Sequence, residues 1–167
     1  MKSLLIIRHA KSSWAERGLA DHERPLDDRG REAAPEMARR LAARQLVPER
    51  MVISEALRAR GTAALMAEVM GLGDDAIVTD SHLYQAESDD WLGVIRGFPD
   101  ELQRIAGVGH NPALHELAEY LVDLDVAKFP TAAVAHIRFD IDQWVDASPE
   151  NAFLEGFDYP KRGVGDV

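Results

Sequence analysis

Short apolar runs alternate along this chain with longer stretches of helical spacing, and that alternation constrains the fold more than any other feature of the sequence. Residues 3–7, Ser-Leu-Leu-Ile-Ile, are apolar and bounded and read as a buried strand. Residues 51–53 and 76–79 read the same way, residues 104–108 more weakly, and residues 133–139 alternate as a half-buried strand does. Over residues 28–46, Ala34, Met37, Ala38, Leu41 and Ala42 recur at helical spacing, with Pro35 required to kink that helix or delay its start. Residues 55–70, closed by Gly71, form a second helix, and residues 89–96 and 112–124 form two more. Strands alternating with helices predict an α/β fold: a three-layer α/β/α sandwich on a mostly parallel central sheet joined by right-handed crossovers. A length of 167 residues suits one core, so residues 1–167 are read as a single domain. The polar segment from residue 148 onward reads as a surface-wrapping or frayed tail.

Three of these strands run into chemistry. The first ends in Arg8-His9, the second in Ser54-Glu55-Ala56-Leu57-Arg58 and the fourth in Gly109-His110-Asn111-Pro112. In an open α/β sheet, ligands bind outside the carboxyl ends of the strands, so all three loops should face one crevice. Neighbouring side chains on a strand point to opposite faces, so Arg8 and His9 reach one ligand only if the chain turns there. Ser54 is a candidate N-cap for the second helix, which sets Arg58 near the positive end of its dipole. Asn111 as N-cap and Pro112 as first helical residue would pin His110 at a strand-to-helix corner.

Two guanidinium groups, always charged and matched in shape to phosphate oxygens, make phosphate the ligand that this constellation suits. One imidazole can then serve as nucleophile, because cationic neighbours lower its pKa and leave a lone pair free near neutral pH. The net charge of −10 argues against a nucleic-acid surface, so any anion site must be a local basic focus. Cysteine is absent, which excludes disulfides, thiolate metal sites and a cysteine nucleophile. No apolar stretch is long enough to cross a bilayer and the N-terminus lacks a signal-peptide pattern, so a cytoplasmic protein without membrane partners is expected.

These residues carry a resemblance. "LLIIRHA" resembles the Arg-His-Gly signature of the histidine phosphatase superfamily, the phosphoglycerate mutase-like fold; "VISEALRARGT" is similar to its Ser-x-x-x-Arg-x-x-x-Thr segment, here Ser54, Arg58 and Thr62; and "VGHNPAL" is similar to its second histidine element. The short length, "RHAKSSW", "ERPLDDRG" and "GHNP" together resemble the SixA-type phosphohistidine phosphatase branch. The resemblance implies that His9 attacks phosphorus and is transiently phosphorylated, that Arg8, Arg58 and His110 bind the phosphoryl oxygens, and that neither metal nor other cofactor takes part. The substrate it implies is a phosphohistidine-bearing phosphotransfer or carrier protein. A small-molecule phosphomonoesterase or mutase of the same superfamily, and a non-catalytic phosphoryl-binding module, are the alternative readings.

The chain departs from the superfamily pattern in two places. Ala10 stands where glycine is usual, adding a methyl group beside the phosphate, as the SixA-type branch often does. Larger members carry a general-acid glutamate in an insertion after the third strand. Here "SHLYQAES" offers only Gln85 and an unmatched Glu87, and the span from residue 73 to residue 99 is too short for an enclosing helical lid. Asp21, beside "HERPL", is the candidate acid; a solvated loop aspartate or a partner for Arg24 is the competing reading. His22, His82, His115 and His136 are scattered, and a metallohydrolase on His9, His110 and His115 has no recognisable ligand spacing behind it. Arg60 lies about 200° around the helix from Arg58 and cannot share its pocket. Lys11 is read as peripheral, and Trp14 and Trp91 as packing or rim residues.

Overall fold

The computed structural model describes residues 1–163. Six strands form one sheet: β1 (Lys2–Arg8), β2 (Arg50–Ser54), β3 (Ile77–Asp80), β4 (Arg104–Gly109), β5 (Val134–Phe139) and β6 (Ala152–Asp158), in the order β3-β2-β4-β1-β5-β6. The pairs β3–β2, β2–β4 and β4–β1 are parallel, whereas β1–β5 and β5–β6 are antiparallel. Four helices connect them: α1 (Asp28–Ala43), α2 (Leu57–Met70), α3 (Ser88–Arg96) and α4 (Ala113–Val122). Among the described residues no helix is long and apolar enough to cross a membrane.

Side-chain alternation along β1 divides the core in two. Leu5 and Ile7 join Met51, Ile53 and Val108 beneath α1 and α2, against Met37, Ala38, Ala63 and Met66. Leu4 and Ile6 face the other way, joining Ile105, Trp91, Ile95, Leu114 and Leu117 beneath α3 and α4. That makes the expected α/β/α sandwich. All four of these β1 residues are at most 1% exposed, and each buried aliphatic side chain contributes about 1.5–3 kcal/mol, so the Arg8-His9 pair sits at the end of a firmly held strand.

Two expectations need correction. Residues from 148 onward do not simply wrap or fray: after a 3-10 turn at Pro149–Asn151 the chain forms β6 and pairs antiparallel with β5, with a register irregularity at His136/Ile137. Residues 164–167 of that tail lie outside the described residues. Helix α1 starts at Asp28 and continues past Pro35, so the proline does not delay its start, which is capped by the Asp27 carboxylate accepting from the Gly30 N–H at 2.8 Å.

Strand β4 lies between β1 and β2, so the chain passes over its place early and fills it late. The carboxyl ends of β1, β4 and β2 therefore meet side by side at the point where strand order reverses, which is where open α/β sheets hold their ligands.

Candidate active site

The strand ends deliver His9, His110 and Ser54 to one place, and the first turn of α2 adds Arg58. The backbone is fastened on each side of His9: its N–H donates to Gly109 O at 3.0 Å, and the next N–H, of Ala10, donates to the Thr62 hydroxyl at 2.8 Å. That hydroxyl in turn donates to Arg58 O at 2.7 Å. Thr62, fully buried, thus ties the loop that follows His9 to the helix that carries Arg58. Helix α1 presses on the same loop from outside. A side chain at Gly30 would put its Cβ 2.1 Å from Lys11 O, so the glycine of "DDRG" is what permits the approach.

His9 is 7% exposed. Its Nδ1 lies 2.7 Å from the Ala10 carbonyl, which can only accept, so Nδ1 carries the proton and Nε2 keeps its lone pair. Burial, opposed by the bond to Ala10 and reinforced by His110, Arg58 and Arg8, lowers the imidazole pKa to about 3. At neutral pH the imidazole is uncharged, with the lone pair of Nε2 unprotonated.

The His110 ring stands 5.1 Å from that of His9, centroid to centroid. Its Nε2 is 2.7 Å from the Ser54 hydroxyl, and Ser54 Oγ already accepts from the Ala56 N–H at 3.2 Å. The hydroxyl has a second lone pair as well as its proton, so it can meet Nε2 in either sense; we direct the hydroxyl proton at Nε2 and assign that of His110 to Nδ1, the tautomer that leaves a donor for a ligand. Burial first, then Arg58, lowers its pKa to about 4. His110 is therefore a neutral hydrogen-bond donor beside His9.

Arg8 is held by a bond from Nη1 to Phe129 O at 3.0 Å, and burial and the neighbouring Arg58 lower its pKa. Among the described residues, Arg8 Nε, Arg58 Nε and His110 Nδ1 are buried without a hydrogen-bond partner. Each such orphan costs about 1–3 kcal/mol, so three of them on the groups around one histidine call for a ligand made of acceptor oxygens. Two guanidinium charges and the amino-terminal end of α2 give that ligand a negative charge. A tetrahedral phosphoryl group meets both requirements.

The structure thus brings together Arg8, His9, Arg58 and His110, as expected, but two capping assignments change. Helix α2 begins at Leu57 with Ala56 at the cap position, and Ser54 is fully buried against His110 instead. Helix α4 begins at Ala113 with Pro112 at the cap, while Asn111 Nδ2 donates to Phe129 O at 2.9 Å, sharing that carbonyl with Arg8. The Asn111–Pro112 bond is cis.

Asp21 also reaches the site, where its carboxylate is bonded by three side chains. Oδ2 accepts from Arg58 Nη2 at 2.9 Å and from the Tyr84 hydroxyl at 2.5 Å, and Oδ1 accepts from Arg24 Nε at 3.2 Å. The Tyr84 bond, followed by Arg58 and against a burial penalty, holds the carboxyl well below the usual carboxylate range. The competing reading, partner of Arg24, is part of what is found. Glu87 is engaged at the start of α3, where its backbone N–H bonds the Asp90 carboxylate at 2.8 Å, and Gln85 is exposed.

Tyr84, on the loop between β3 and α3, escaped the sequence reading altogether; a lone tyrosine in a polar loop gives no periodic signal. Trp91 is buried beneath β4, where Gly107 and Gly109 make room for its ring. Trp14 is 77% exposed and covers the Arg24 guanidinium at 3.5 Å. Lys11 and Arg60 are exposed. His115 lies 3.2 Å from Glu119 and beside Phe129, and among the described residues no group of three His, Asp or Glu side chains converges as a metal site. His82 pairs with Asp80, His136 with Ser3, and His22 stands by the Tyr84 ring.

A buried, uncharged imidazole beside two guanidinium groups at the strand ends of this sheet is a site suited to a phosphoryl group. More narrowly, the chain belongs to the histidine phosphatase superfamily (branch 1), whose family model matches residues 4–104. The uncharacterised protein Rv1276c of Mycobacterium tuberculosis is 33% identical over 166 residues, covering 93% of this chain and all of that protein. Among solved structures, a candidate phosphohistidine phosphatase SixA from Agrobacterium tumefaciens superposes with a TM-score of 0.81 at 27% identity, over 95% of this chain and 98% of that one. The protein histidine phosphatase SixA complexed with tungstate shares the fold, with a TM-score of 0.79 at 19% identity over 95% and 97% of the two chains. The expected phosphoglycerate mutase-like fold is thus the one observed.

Proposed function

We propose that this protein is a phosphatase that hydrolyses phosphohistidine on a partner protein, a phosphotransfer or carrier domain, through a phosphohistidine intermediate on His9. The observation that carries the proposal is the pairing of a neutral, buried His9 with a nearby carboxyl that is already ionised. In the first step His9 Nε2 bonds to phosphorus as the phosphorus–nitrogen bond of the substrate breaks, and the electron pair stays on the departing imidazole. Arg8, Arg58 and the His110 Nδ1–H take the phosphoryl oxygens and their growing charge. Water then attacks the phosphorus on His9, inorganic phosphate leaves, its proton passes to solvent or phosphate, and His9 returns to its starting state.

Leaving-group chemistry supports this substrate over an ester. An alkoxide needs a proton as it leaves, and no protonated carboxyl stands by the site. An imidazole whose second nitrogen carries a proton departs neutral without help. The approach is open as well: between β3 and α3 only residues 81–87 intervene, so a histidine on a protein surface can reach His9 where a free sugar phosphate would find few walls. The name of the Agrobacterium relative points the same way.

The test is kcat/KM for a phosphohistidine protein, a phosphoserine peptide and phosphorylated sugars, measured side by side. The phosphohistidine protein should lead by a wide margin. A phosphoester that leads instead would overturn the substrate and favour the monoesterase or mutase reading, and absence of turnover on every substrate would favour a binding module.

A further inference from the structure

We propose that Asp21 is a positioning residue: an ionised carboxylate that, together with Tyr84, fixes the Arg58 fork at the phosphoryl site and donates no proton during turnover. This inference rests on the phosphoryl-transfer reading of the site, but on neither choice of substrate.

Arg58 is gripped at both tips by one residue. Nη1 donates to the Asp21 backbone carbonyl at 2.8 Å and Nη2 to its carboxylate Oδ2 at 2.9 Å. A guanidinium held at two nitrogens has its plane fixed, and what it leaves for a ligand is the buried, unpartnered Nε and the remaining terminal protons. The carboxylate is itself held from three chain segments. Tyr84 donates to Oδ2 from the β3–α3 loop, Arg58 from α2, and Arg24 to Oδ1 from the loop between β1 and α1. Arg24 is only 8% exposed, lies under Trp14 and donates to Ser12 Oγ at 2.9 Å, so the clamp is anchored at its far end too. Two donors converge on Oδ2 and a third on Oδ1. Three donors take three of the four lone-pair positions of the carboxylate, and two of those donors are guanidinium cations, so the arrangement favours the charged form. An anion there neutralises part of the Arg58 charge and costs some attraction for phosphate. The return is a preorganised fork, which matters more in the transition state than loose charge does.

The test is a series of aryl phosphates with phenols from strongly to weakly acidic, compared between wild type, Asp21→Asn, Asp21→Glu and Tyr84→Phe, alongside inhibition by orthovanadate. None of these probes contains phosphohistidine, so the outcome is separate from the substrate assignment. A positioning role predicts that Asp21→Asn lowers kcat/KM by the same factor, roughly ten- to hundredfold, for every phenol, and weakens vanadate inhibition in parallel. Asp21→Glu, which keeps the charge, should recover part of both. A loss that grows with the weakness of the phenol and vanishes for the most acidic one would make Asp21 the acid and overturn the proposal. Unchanged kinetics and vanadate inhibition would reduce it to an ordinary loop residue. Thermal melting checks that each variant folds. Should Asp21→Asn fail to fold, Tyr84→Phe decides, because removing one of the two donors to Oδ2 should give a smaller loss that is again uniform across the series.

Discussion

Ser54→Ala probes the tautomer of His110. The substitution removes a hydroxyl that is fully buried, lies 2.7 Å from His110 Nε2 and accepts the Ala56 N–H at 3.2 Å. Losing a phosphoryl donor outright costs about 3 kcal/mol in the barrier, by analogy with an oxyanion-hole donor. Ser54→Ala keeps the imidazole and frees only its proton to sit on either nitrogen. The loss should therefore be smaller, about 1–1.5 kcal/mol or roughly tenfold in kcat/KM for p-nitrophenyl phosphate. The design has a second arm. An asparagine amide nitrogen falls where Nδ1 is and a glutamine nitrogen where Nε2 is, so His110→Asn should retain more activity than His110→Gln. In the His110→Asn background the serine has no Nε2 to address, and adding Ser54→Ala should cost little. If glutamine outperforms asparagine, or if Ser54→Ala costs the same in both backgrounds, the tautomer assignment is wrong.

Arg58→Lys should lose roughly a hundredfold in kcat, since an ammonium cannot reproduce a fork held by Asp21 at both terminal nitrogens; full activity would show that only diffuse charge is needed. Gly109→Ala would bring a Cβ within 2.5 Å of Trp91 Cζ2, so urea unfolding should show a destabilisation of about 1–3 kcal/mol together with reduced turnover from the displaced His110. Stability should also fall with acidification. His9 and His110 have folded-state pKa values of about 3 and about 4 against an ordinary 6.5, so between those values the unfolded chain binds more protons and each histidine removes up to about 1.4 kcal/mol per pH unit below 6.5. Melting temperatures at pH 7 and pH 5 should show the drop, and His9→Asn should flatten it.

The convergence of the site was legible because three strand ends carried its residues and sheet topology leaves strand ends in one place. What went unread followed from how the signals are written. Strand β6 is an edge strand with Phe153 and Leu154 exposed and Gly156 inside it, so it lacks the alternation that marks a half-buried strand. Ser54 has the chemistry of a helix cap, and only the folded chain shows that it serves an imidazole 56 positions away. Asp21 was placed beside the pocket by its proximity to His9 in sequence. Its protonation state depends on Tyr84, 63 residues distant, and no local pattern records that contact.

The proposed mechanism requires His9 Nε2 to be the atom that accepts the phosphoryl group. The direct measurement is a rapid acid-free quench of enzyme mixed with a phosphohistidine protein labelled in its phosphoryl group, followed by peptide mapping of the labelled enzyme. Label should appear on His9 within one turnover, be lost in acid and persist in base as a phosphoramidate does, and be absent from His9→Ala, which should also have no turnover. Steady hydrolysis by His9→Ala, or a phosphoenzyme labelled at any other residue, would contradict the mechanism.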